Sequence, residues 1–119
     1  MALLKLTFII IGIYMSSITI QSINLVDNQI TVLFNQHWFQ ENIITLRELL
    51  LNNIPDLCIK EVIIGADREN VRFQWLGVEF TLSFDFYSQS CWFDAQDSNH
   101  VSDMISLFQL LTINHECYA

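Results

Sequence analysis

"VRFQWLGVEFTLSFDFY", residues 71–87, decides the fold. From Val78 onward the side chains alternate strictly. Val78, Phe80, Leu82, Phe84 and Phe86 face one way, while Glu79, Thr81, Ser83, Asp85 and Tyr87 face the other. A period of two marks a β-strand with one buried and one wet face, the habit of antiparallel sheets. Gly77 separates Val71–Leu76 from Val78–Tyr87, so it marks either a tight turn between two strands or a bulge.

Upstream, Gly65 to Asn70 is turn punctuation, and "LCIKEVII" before it is a strand of mixed pattern, since Ile59, Glu61 and Ile63 alternate with Lys60, Val62 and Ile64. Pro55 and the Asn52-Asn53 pair end "ENIITLRELLLNN", a helix with Ile43, Leu46, Leu50 and Ile44, Leu51 at helical spacing. Before it, Ile18 and Ile20 alternate with Thr19 and Gln21, and Ile23 and Leu25 continue out of phase after Ser22. Asp27-Asn28 supplies turn chemistry, and "QITVLF" returns as a second strand. Downstream, "CWFDA" is a short last strand. "DSNHVSDMISLFQLL" is a helix capped by Asp97, Ser98 or Asn99, with Val101, Met104, Ile105, Phe108 and Leu111 as its apolar stripe. The order β-β-α-β-β-β-β-α predicts an α+β domain: one antiparallel sheet with two helices packed on one face. It excludes the alternating order of a doubly wound nucleotide-binding fold.

A chain of 119 residues, 52% hydrophobic, is one domain by size and builds a core without metals or disulfides. Thirteen acidic against five basic groups give a net charge of −8. That balance argues against nucleic acid, whose binding rests on cationic contacts to phosphate, and against anionic lipid. Three cysteines, Cys58, Cys91 and Cys117, leave at least one thiol unpaired and form no C-x-x-C, which fits a reducing compartment.

Residues 1–20 leave the compartment open. Lys5 followed by the apolar run Leu6–Tyr14 reads as a signal or anchor segment, although Ser17-Ile18-Thr19 is a weak cleavage site and the run is short for a membrane span. Alternatively, translation starts at Met15 and residues 1–14 are an upstream extension outside a domain of residues 15–119, or the run is a genuine first strand. The expectation is a cytoplasmic protein, with export or membrane anchoring as the alternative if residues 1–20 are retained.

Gly65-Ala66-Asp67-Arg68, the aromatic strand pair with Gly77, then Ser90, Trp92, Asp94 and a closing helix resemble a family of small bacterial proteins classed as a domain of unknown function. The resemblance runs from Val62 to Leu111. It implies a cytosolic α+β domain and supplies no activity.

Asp67-Arg68-Glu69 is the first candidate site, with Asp67 and Arg68 as its working pair. An arginine fork binds carboxylate or phosphate, with Asp67 orienting it. The competing reading is a turn in which Asp67 accepts backbone N–H groups and Arg68 pairs internally with an acid of a neighbouring strand. Trp75 and Trp92 are the second candidate: both on an open sheet face beside Tyr87 would make an exposed aromatic interface. His37, His100 and His115 show no metal-ligand spacing, so no metal and no cofactor are expected. Cys91 lacks a following helix start or cation and reads as a buried apolar thiol rather than a nucleophile. Glu79 and Asp85, about 20 Å apart on one extended strand, are too distant for a glycosidase pair. The sequence therefore points to a non-enzymatic interaction module with a protein partner, the alternative being a small-ligand-binding protein or enzyme using Asp67 and Arg68.

Overall fold

The computed structural model describes residues 18–97 and 99–115. The leader, the Met15 start, the capping role of Ser98 and the Glu116-Cys117 tail lie outside the described residues. The elements are β1 (Ile20–Val26), β2 (Gln29–Phe34), a short 3-10 turn (Gln40–Asn42), α1 (Ile43–Leu51), β3 (Cys58–Ile64), β4 (Arg68–Trp75), β5 (Val78–Asp85), β6 (Ser90–Ala95) and α2 (Val101–His115). They follow the order read from the sequence. All neighbours pair antiparallel in a six-stranded sheet of order β1-β2-β6-β5-β4-β3.

Antiparallel partners share a face, so the register divides the sheet in two. Val71 pairs with Leu82, Leu82 with Phe93, Phe93 with Ile30 and Ile30 with Leu25. This rung, together with Phe73, Phe80, Phe84, Cys91, Val32 and Ile23, forms one apolar face. Both helices cover it. Ile43, Leu46 and Leu50 of α1 and Met104, Leu107 and Leu111 of α2 join the same core. At about 25 cal/mol per Å² of apolar surface removed from water, this layer is the main source of stability. The opposite face is mostly polar, with Leu33 and Ile63 exposed on it, and neither described helix packs there.

Gly77 belongs to a tight turn. Trp75 pairs with Val78, and Leu76 and Gly77 between them both hold positive φ, 52° and 77°. That is the type I′ hairpin, whose twist matches its strands. Asp27 and Asn28 repeat it between β1 and β2 with φ of 52° and 60°. The phase change after Ser22 is a β-bulge between Ile20 and Ser22, which returns Ile20 and Ile23 to the same face.

The apolar stripe of α2 differs from the sequence expectation. Met104, Leu107 and Leu111 are buried, whereas Val101 and Ile105 are exposed. Apolar residues surround this helix, so composition alone does not choose the inward side. On α1, Ile44 likewise points out, 56% exposed.

Candidate functional site

Gly65-Ala66-Asp67-Arg68 is the β3–β4 hairpin. Ile64 pairs with Glu69, and the Gly65 N–H donates to the Arg68 carbonyl at 2.7 Å. The turn is tied down from two sides: Gln40 donates to the Gly65 carbonyl, and the Phe86 N–H donates to the Asp67 carbonyl. Arg68 opens β4 opposite Asp85 and donates from Nε to Asp85 Oδ2 at 3.2 Å. The ion pair expected from sequence exists but is not internal. Arg68's side chain is 65% exposed, and Asp85's 15%. Such a pair contributes about 0–1 kcal/mol to stability.

Two depressions meet at this pair. One, of ≈ 440 Å³, runs from Gly65 and Asp67 past Arg68 and Asp85 to Tyr87. The other, of ≈ 380 Å³, runs from Arg68 and Asp85 past Thr31, Ser88 and Ser90 to Trp92. Together they make one shallow trough on the uncovered face, with an aromatic ring at each end. Trp92 is half-buried and lies on a rung between Thr31 and Ser83. Its indole N–H donates to Asp94 Oδ2 at 2.8 Å, while Asp94 Oδ1 accepts from Gln29. Both carboxylate oxygens are thus spent orienting the ring and its strand. Ser83, on this uncovered face, is only 5% exposed, and Trp92 is the largest side chain on its rung. The bond to Asp94 fixes the indole along its own strand.

Trp75 is placed elsewhere. It is in phase with Val71 and Phe73 on the helix-covered face, 6% exposed, against Phe80 at 6.3 Å between ring centroids. The paired Trp75–Trp92 surface considered from sequence does not form, because period two puts the two indoles on opposite faces. Of the sequence candidates, Asp67, Arg68 and Trp92 share the trough, and Trp75 is core.

The remaining groups are structural. Cys91 is fully buried, and loss of solvation pushes its thiol well above the ordinary value, the opposite of an activated nucleophile. His37 packs edge-on to Phe39 and Phe86, and His100 bonds Asp103. Partial burial lowers the His115 pKa. Among the described residues, no three His, Cys, Asp or Glu side chains gather where a metal could sit, and no helix is long and apolar enough to cross a membrane.

Three features escape the sequence reading. Glu69 is 5% exposed, in phase with Val71 and Phe73, and accepts from Arg47 of α1 at 3.1 Å. The period-two phase of β4 held that information. On the open face Arg72 bridges Glu61 at 2.9 Å and Glu79 at 3.3 Å, and hydrogen bonds to Glu61 first, then Glu79, raise its pKa further. The third feature is β3. All seven of its residues are exposed, although four are Ile59, Val62, Ile63 and Ile64. Neither helix reaches over this edge.

No curated protein and no solved structure matches the chain. The family described as "Protein of unknown function (DUF3630)" matches residues 20–112, from the first strand to within the last helix. The chain, with its six-stranded sheet and two covering helices, belongs to that family.

Proposed function

We propose that this protein is a non-enzymatic interaction module that takes up an extended segment of a partner protein along the β3 edge. The observation that supports this reading is that every residue of β3 is exposed, with apolar side chains on both faces. Ile59, Val62 and Ile64 pair opposite Phe73, Val71 and Glu69 and so extend the helix-side face. Ile63, opposite Asn70, extends the other. An edge strand offers a row of unpaired N–H and C=O groups, and proteins ordinarily blunt such edges with charge, bulges or a covering element. Here the blunting is limited to Lys60, Glu61 and the irregularity between Ile59 and Glu61. Strand addition satisfies the backbone groups and covers the isoleucines in one step.

The test uses Val62→Lys with Ile64→Lys, which places two charges on the exposed edge. Exposed substitutions of this kind leave stability within about 0.5 kcal/mol. The expected result is unchanged thermal unfolding with loss of the partner recovered from the native cells. Retained recovery would sink the proposal. A second copy of the chain acting as partner would show instead as a dimer mass that the double variant abolishes.

A further inference from the structure

We infer that the trough on the open sheet face is a binding site for a neutral saccharide, with the Trp92 indole as its platform. The inference is independent of the β3 edge. Three observations carry it. The first is the placement of Trp92: half-buried on the open face, beside Ser83 in register and held by Asp94, it offers a fixed aromatic ring among mostly polar side chains. An exposed indole face seeks apolar C–H surface, while everything around it seeks hydrogen bonds. A sugar ring has both, a C–H face and a rim of hydroxyls.

The second observation is the character of the rim. Thr31, Ser88 and Ser90 bring hydroxyls; Ser88 Oγ donates to Ser90 Oγ at 2.8 Å, which leaves the Thr31 hydroxyl and the acceptor lone pairs of the serines for a ligand. The Arg68 guanidinium, oriented by Asp85, presents a planar fork whose two-pronged geometry suits adjacent hydroxyls. Arg68, 65% exposed, is reachable from solvent, whereas Asp85, 15% exposed and accepting from Arg68 and the Ser88 N–H, holds it in place.

The third is the sign of the charges. Arg68 and Asp85 stand side by side in the trough and Asp67 adds a second carboxylate. An anion meets two carboxylates, and a cation meets the guanidinium at the same place. A neutral ligand avoids both repulsions. The shallow, open form fits weak binding, on the order of millimolar.

The readout is built in. Trp38 and Trp75 are 1% and 6% exposed, so Trp92 is the indole that a ligand can touch. The experiment titrates the protein with glucose, galactose, mannose, N-acetylglucosamine and their β-linked oligomers, with inorganic phosphate and free lysine as charged probes. It follows the backbone amide resonances of Thr31, Ser83 and Ser90 in every variant, and in the parent also indole emission and the Trp92 indole N–H resonance. The expected result is a saturable shift with at least one neutral sugar, abolished in Trp92→Phe and weakened about tenfold in Arg68→Ala. Val62→Lys with Ile64→Lys leaves it unchanged, which separates this site from the β3 edge. Both trough variants change exposed or half-exposed positions, and a thermal melt confirms that they fold. The proposal is overturned if no sugar gives a saturable shift, if Trp92→Phe and Arg68→Ala bind as tightly as the parent, or if only phosphate or lysine saturates.

Discussion

Leu76 holds φ at 52° in the first central position of the β4–β5 turn with 65% of its surface exposed. An aliphatic side chain in left-handed backbone is strained by about 1–2 kcal/mol, and here burial returns little of it. Asn tolerates that region, as Asn28 does in the equivalent β1–β2 turn. Leu76→Asn is therefore expected to stabilise the fold by about 1 kcal/mol, raising the melting temperature by about 4–8 °C for a domain of this size. A melt that falls instead would show that the Leu76 side chain makes contacts worth more than the strain. Cys91 gives a second prediction at this scale. Its folded pKa is raised by burial above the ordinary thiol value of 9.0, so the folded state keeps the proton that the unfolded chain loses. The stability this represents is fully present below pH 9.0 and declines as pH rises above it, approaching about 1.4 kcal/mol per pH unit. Denaturant melts across that range should show the decline in the parent and a flatter profile in Cys91→Ala, which starts from a lower plateau because a small cavity remains. Equal slopes in both proteins would contradict the assignment.

Helix α1 is joined to β4 by the Arg47–Glu69 pair, whose carboxylate side chain is 6% exposed. Removing one partner strands a buried charge, whereas replacing both with apolar groups of similar size is often neutral. Arg47→Met should therefore cost about 3 kcal/mol, and Arg47→Met with Glu69→Met should recover most of that. A double-mutant cycle by urea unfolding measures it, and additive losses would mean that the pair is uncoupled. The same elements show what was legible. The phase of β5 is clean because its two faces meet opposite solvents, and β1 was readable as a strand whose bulge showed as a slip after Ser22. On α2 the stripe was misassigned because Val101 and Ile105 are as apolar as Met104 and Leu107. Only the position of the sheet chooses between them. For the site, the turn at Asp67 and the Arg68 ion pair were local enough to read. Membership of Trp92 in the trough was not, since Thr31, Asp85 and Ser88 reach it through register. The core position of Trp75 was available from its phase with Val71 and Phe73.

At the scale of the molecule, the chain is assembled from two blocks of unequal cohesion. Strands β3 to β6 form a continuous meander of neighbours in sequence, with eight Cα pairs between β4 and β5 and six between β5 and β6. The β1–β2 hairpin joins it through only three, Ile30–Phe93, Thr31–Trp92 and Val32–Cys91. Those partners lie at opposite ends of the sequence, so the seam closes the longest loop in the sheet. A long loop loses more entropy on closing, and contacts that close it tend to form after local ones. In native-state hydrogen exchange, β2 amides should exchange through a partial opening at lower free energy than those of β4 and β5. Uniform protection across the sheet would refute this. The consequence reaches folding itself: the meander is the part able to form early, and until the hairpin docks, β6 is a second exposed edge. During that interval Cys91 and Phe93, both at 0% exposure in the finished fold, are open to other chains. The brief state most prone to misassociation is thus the one with the seam unclosed, and the rate of that closure sets how long the molecule stays in it.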